Sequence, residues 1–172
     1  VLSIPASAQT IFGTNLIVNS GAESGPGGSG ASPAASVPGW TRTGGADVYS
    51  YGISLEVTDI VPVNPGNNYF SGGSQQANSS FSQTIGVATA ASTIDGGGVT
   101  FDLSGYLGAY GEANVYASLS LAFFDANGAV ISPGQGIQGV QSGGRANSVS
   151  GLYFARAIGA IPTGTRSLQV TL

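Results

Sequence analysis

Apolar and polar residues alternate with a period of two along several stretches of the chain. In "VTFDLSGYL", Val99, Phe101, Leu103 and Leu107 fall on one side, and Thr100, Asp102, Ser104 and Tyr106 on the other. "VYASLSLAFF" places Val115, Ala117, Leu119, Leu121 and Phe123 together, and "RSLQVTL" does the same with Leu168, Val170 and Leu172. Successive side chains of an extended chain point to opposite faces, so this pattern predicts strands with one buried face. Asp125-Ala126-Asn127-Gly128 predicts a hairpin in which Asn-Gly supplies the positive φ angles, pairing strands at 115–125 and 129–131. Further short strands are expected at 15–19, 46–51, 68–71, 80–87 and 151–158, separated by Gly/Pro clusters such as "NPGNN" and "SPGQG". No stretch carries sustained helical spacing, and "ATAAST" allows one turn before Ile94. The fold predicted is all-β: an antiparallel β-sandwich of the jelly-roll kind, with about eight or nine strands.

Composition narrows the partners. The 172 residues suit a single domain, and only 7% of them are charged. Solubility therefore rests on Ser, Thr, Asn and Gln rather than on charge. There is no Lys, and four Arg face eight Asp and Glu. Nucleic acid and anionic membrane surfaces are poor partners for such a chain, because both call for clustered cations. No apolar run approaches the ~18 residues of a membrane span, so no membrane insertion is expected. The chain lacks Cys, Met and His, a composition that suits an exported protein exposed to oxidants. "VLSIPASAQT" begins without Met and carries Ala6-Ser7-Ala8, the small-x-small form of a signal-peptidase site. Residues 1–8 are thus expected to be the tail of a signal peptide and 9–172 the single domain, secreted or held at the cell surface.

The chemistry on offer is sparse. Without His or Cys the usual nucleophile–base pairs are missing, which leaves carboxylates alone. Glu56, Asp59 and Glu112 are the candidates, and solvated polar residues are the plainer reading. The chain is therefore expected not to be an enzyme. Sugar sites on sandwiches use aromatic faces beside polar side chains. Tyr49 and Tyr51 share one strand face with Asp47, and Arg42 lies nearby. Tyr106 and Tyr110 flank a glycine-rich stretch that continues to Asn114. Either pair predicts a stacking platform for polysaccharide. In "NSGAESG", Asn19 and Glu23 offer oxygen ligands of the kind calcium takes, although one carboxylate makes a weak site.

Taken together, "NLIVNSGAESG", "VPGWTRTGGADVYSYG", "NYFSGG", "FSQTIGV", "IDGGGVTFDLSGYLGAYG", "VYASLSLAFFDANGAVI" and "IPTGTRSLQVTL" give the chain a family look. Across residues 14–172 it resembles secreted bacterial β-sandwich proteins of the PEP-CTERM-associated type. These are similar to galactose-binding-like jelly rolls and carbohydrate-binding modules. The resemblance implies a structural Ca2+ held through Glu23 and Asn19 in an Asn-x-Gly-x-Glu element. It implies a second ligand from an Asp at the start of a final strand beside the first. No such strand precedes Leu172, so the sandwich is expected to be open there. A clipped sequence is one explanation. Self-association, with a neighbour's strand completing the sheet, is the other. The function expected is a non-catalytic exported module that contacts extracellular polysaccharide, with the self-associating surface or fibre subunit as the alternative.

Overall fold

In the computed structural model the described residues are 11–29, 34, 36–53, 55, 59–73, 78–111, 115–141, 144 and 150–172. The alternating stretches become strands with the predicted faces inward. In β5 (Thr100–Ala109) Phe101, Leu103 and Leu107 are buried, and in β6 (Ser118–Phe124) Leu119, Leu121 and Phe123 are. In β10 (Ser167–Thr171) the buried pair is Leu168 and Val170. The remaining strands are β1 (Thr41–Thr43), β2 (Asp47–Ser50), β3 (Asn68–Ser71), β4 (Ser80–Gly86), β7 (Val130–Ser132), β8 (Gly136–Gln138) and β9 (Gly151–Ala160).

One large antiparallel sheet runs in the order β1-β4-β10-β6-β7, with β8 continuing beside β6 where β7 leaves off. Two antiparallel ribbons, β2–β3 and β5–β9, accompany it. Both cover the same face of the sheet. Phe81, Gln83 and Ile85 alternate along β4 and so share one side. Phe81 packs with Val48 of β2, against which Phe70 of β3 also lies. Ile85 packs against the cluster of Phe101, Leu103, Leu121, Phe123, Leu168 and Val170. The result is an antiparallel β-sandwich whose inner residues meet between the layers. A 3₁₀ turn (Ala88–Ala90) and the short helix α1 (Ala91–Asp95) close one end, burying Val87, Ala90 and Ile94. Asp95 ties α1 to the turn before β10, accepting hydrogen bonds from the Gly164 N–H at 2.9 Å and from both Nη atoms of Arg166.

Several local expectations give way. Residues 15–19 form no strand. The reciprocal bonds of a strand partner come instead from a side-chain amide: Gln83 Oε1 accepts from Val18 N–H at 2.8 Å, and Gln83 Nε2 donates to Val18 O at 3.1 Å. Leu16 and Ile17 pack on the core while Val18 stays exposed, so the run is apolar without being periodic. Val115 is likewise exposed, because β6 begins only at Ser118. The hairpin forms, but through Asp125: its Oδ1 accepts from Asn127 N–H and Ala129 N–H, both at 2.8 Å. Gly128 alone takes the positive φ, 79°, and Asn127 does not. The last strand, β10, sits inside the sheet between β4 and β6, and Leu172 exchanges backbone bonds with Phe81.

Candidate functional site

The β5–β9 register sets out an exposed aromatic surface. Thr100↔Ala160, Asp102↔Ile158, Ser104↔Arg156, Tyr106↔Phe154 and Gly108↔Leu152 pair across the ribbon on its outer side. The inner side carries Phe101, Leu103 and Leu107, which anchor the ribbon to the core. Tyr106 and Phe154 are 46% and 58% exposed, with ring centroids 5.4 Å apart in an edge-to-face arrangement. Cross-strand aromatic pairs of this kind hold each other's orientation. Beside them Arg156 reaches diagonally to Asp102, with Nε donating to Oδ1 at 2.8 Å and Nη2 to Oδ2 at 2.6 Å. That hydrogen-bonded guanidinium holds the Asp102 carboxyl below its usual range and raises Arg156 in turn. The pair is half-exposed, so its polar edges face solvent next to the rings. Tyr110, exposed and just past the end of β5, extends the surface. Asn114 and Glu112 lie outside the described residues.

The sequence picks out Tyr106 and Tyr110 but misses Phe154, Arg156 and Asp102. A strand is expected at 151–158, yet "GLYFARAIG" is apolar on both faces and does not say which one is outside. Only pairing with β5, whose inner face is unmistakable, assigns Phe154 and Arg156 to the outer side. Of the glycine-rich stretch after Tyr106, residues 107–109 form the end of β5, and 112–114 lie outside the described residues.

The other predicted platform is corrected. Tyr49 is 8% and Asp47 4% exposed, because β2 is buried on both faces. Asp47 Oδ1 accepts from Ala34 N–H, Arg42 Nη1 and Val48 N–H, and so organises the interior of that ribbon. Arg42 is occupied as Asp47's ion-pair partner at 3.1 Å. Tyr51 is half-buried beside Tyr69, with centroids 5.0 Å apart; burial first, then Tyr69 and Glu23, push its hydroxyl pKa up. Neither Tyr49 nor Asp47 presents a face to a polymer.

The Asn19–Glu23 loop is a clasp. Asn19 takes φ 52°, its Oδ1 accepts from Ser24 N–H at 2.9 Å, and its carbonyl accepts from Trp40 Nε1 at 3.2 Å. Glu23 Oε1 accepts from the N–H groups of Asn67 and Asn68, each at 2.9 Å, and Oε2 from Asn67 Nδ2 at 3.2 Å. Gly66, with φ +81°, lies so close to this carboxylate that a Cβ there would overlap it. Three of the carboxylate's roughly four acceptor sites thus go to N–H donors. Among the described residues no group of three or more His, Cys, Asp or Glu comes together. Glu23→Ala is expected to cost about 1–2 kcal/mol, less than a fully buried set of bonds because the residue is exposed. Urea titration in EDTA and again in calcium checks this. Equal losses in both identify the clasp, and a loss present only with calcium would identify a bound cation.

Between the two ribbons runs an apolar cleft of about 2020 Å³. Its lining includes residues of β3 and β5, and the buried core residues Phe81, Leu121, Leu168 and Val170 lie at its base.

No family model and no curated protein matches the chain. Among solved structures it is similar to the enzymatically active domain of tailspike protein 4 from bacteriophage CBA120. The two are 16% identical with a TM-score of 0.49, over 91% of this chain. The chain spans 18% of that tailspike chain's length. A likeness this distant transfers neither activity nor substrate. It does correct one expectation: the sequence is read above as that of a non-enzyme, whereas the matched structure is an enzymatically active domain, so that exclusion is withdrawn.

Proposed function

We propose that the chain is an exported β-sandwich that contacts extracellular polysaccharide through the outer face of the β5–β9 ribbon. The observation that carries this reading is the exposed Tyr106–Phe154 pair set beside the half-exposed Arg156–Asp102 ion pair. Aromatic rings give the C–H face of a pyranose an apolar partner, and fixed polar groups at their edge meet its hydroxyls. Bidentate pairing removes the rotamer freedom of Arg156 and Asp102 before any sugar arrives, which lowers the entropy cost of binding. Placement outside the cell is supported by the absence of Cys and Met and by the resemblance to secreted bacterial sandwich proteins.

Affinity electrophoresis through gels containing neutral and acidic polysaccharides tests the proposal. Tyr106→Ala and Phe154→Ala are each expected to weaken retention about tenfold, as loss of a stacking contact does. Val130→Ala, at an exposed position on the far edge strand β7, is the control. Unaltered retention in both aromatic variants, or none for the parent on any polysaccharide, would remove this face from consideration.

A further inference from the structure

Among the residues of β5 and β9, Asp102 and Arg156 alone are charged, and they satisfy each other. Arg156 stands opposite Ser104, one step along the ladder from the Tyr106↔Phe154 pair, and reaches on to Asp102. The pairing is bidentate, with Nε donating to Oδ1 and Nη2 to Oδ2, the fork-to-fork geometry in which a half-exposed ion pair holds its shape. What the pair leaves over is a matched set. A guanidinium has about five N–H donors, and Nη1 takes no part in the pair. Each oxygen of Asp102 accepts from Arg156 and keeps roughly one further acceptor site. Donors and acceptors therefore lie side by side next to the two rings.

Building on the polysaccharide reading of this face, we infer that Asp102 is a specificity-determining residue: by occupying Arg156 it restricts the face to uncharged, hydroxyl-rich glycans and turns away acidic ones. A sugar hydroxyl both donates and accepts, so it answers both halves of the pair. A sugar carboxylate only accepts, and it sets a like charge against Asp102. To take the fork of Arg156 it must displace a carboxylate held on the neighbouring strand, a competitor at high effective concentration. The remaining surface offers an acidic polymer no substitute. Arg42 is bound to Asp47 and Arg166 to Asp95, so every arginine among the described residues already carries a carboxylate. There is no Lys, and the net charge is −4. Tyr106 and Phe154 supply the contact, and Asp102 decides the charge of the sugar beside them.

Affinity electrophoresis of the whole 172-residue chain with chemically matched polymers tests this. Polygalacturonate, alginate and hyaluronate are each compared with the same polymer after reduction of its carboxyl groups to alcohols. The parent is expected to be retained about tenfold more strongly by a reduced polymer than by its acidic original. Asp102→Asn keeps the shape of the side chain and frees the guanidinium, at a half-exposed position that leaves the core untouched. Its retention on the acidic originals is expected to rise about tenfold, the scale of one charge-assisted pair. The double variant Asp102→Asn/Arg156→Gln has the parent's net charge and is expected to lose that gain, which separates a freed Arg156 from a change in overall charge. Equal or stronger retention of the parent on the acidic originals, or no gain there by Asp102→Asn, would overturn the role of Asp102 while leaving the polysaccharide site in place. No retention of the parent on any neutral or acidic polysaccharide, or retention that Tyr106→Ala leaves unaltered, would remove the site itself and the role of Asp102 with it.

Discussion

Phe123→Ala is expected to lower the free energy of unfolding by about 3–5 kcal/mol, the range for removing a buried aromatic ring. Phe123 is 2% exposed and lies on β6, opposite Leu168 of β10. Its ring stands 5.8 Å from that of Phe101, so it joins the main sheet to the β5–β9 ribbon across the layer boundary. Small domains have roughly 5–15 kcal/mol in total, and the deletion would remove a large share of it. Urea titration should show a lower midpoint with an unchanged slope. Phe154→Ala provides the contrast: that ring is 58% exposed, and its loss should cost little stability while weakening glycan retention. Were the two variants equally destabilised, the assignment of inner and outer faces would be wrong.

Those faces were legible from the sequence only where alternation was clean. Phe101, Leu103, Leu119, Leu121, Leu168 and Val170 announce themselves, because each is flanked by polar or small neighbours of the opposite parity, and Phe123 continues the parity of Leu119 and Leu121. β2 is different. Its residues Asp47, Val48 and Tyr49 are all buried, so parity says nothing, and a tyrosine pair that looks like a platform belongs to the interior. An Asp inside such a strand was a clue, since a buried carboxylate needs donors, and Asp47 has three. Glu23 could be singled out as a loop carboxylate with a purpose, yet nothing in "NSGAESG" names Asn67 and Asn68 as its partners. The outer face of the ribbon was half visible through Tyr106 and Tyr110. Its other half depends on cross-strand register, which joins residues some fifty positions apart and leaves no local trace.

Gly108→Ala is expected to disturb both the ribbon and the surface it carries. Three glycines let chain segments meet at this end of the molecule. A Cβ on Gly108 would fall on the Gly151 carbonyl, and one on Gly139 would come within 2.9 Å of Gly108 N and Leu107 C. A Cβ on Gly151 itself would crowd Ile60 at 3.0 Å. Backbone atoms cannot rotate away as side chains do, so the loss should reach the upper end of the roughly 1–3 kcal/mol typical of overpacking, or exceed it. The pairs Gly108↔Leu152 and Ala109↔Gly151 would part, and Tyr106↔Phe154 is the next outward-facing pair along the ladder. Glycan retention should therefore fall with stability, and amides at 151–153 should exchange faster. Gly105→Ala isolates the cause, because a Cβ there meets only Leu119 Cδ2 at 3.6 Å, an ordinary contact. Equal behaviour of the two variants in melting and in exchange would mean that close approach of β5 and β9 does not hold the aromatic pair in place.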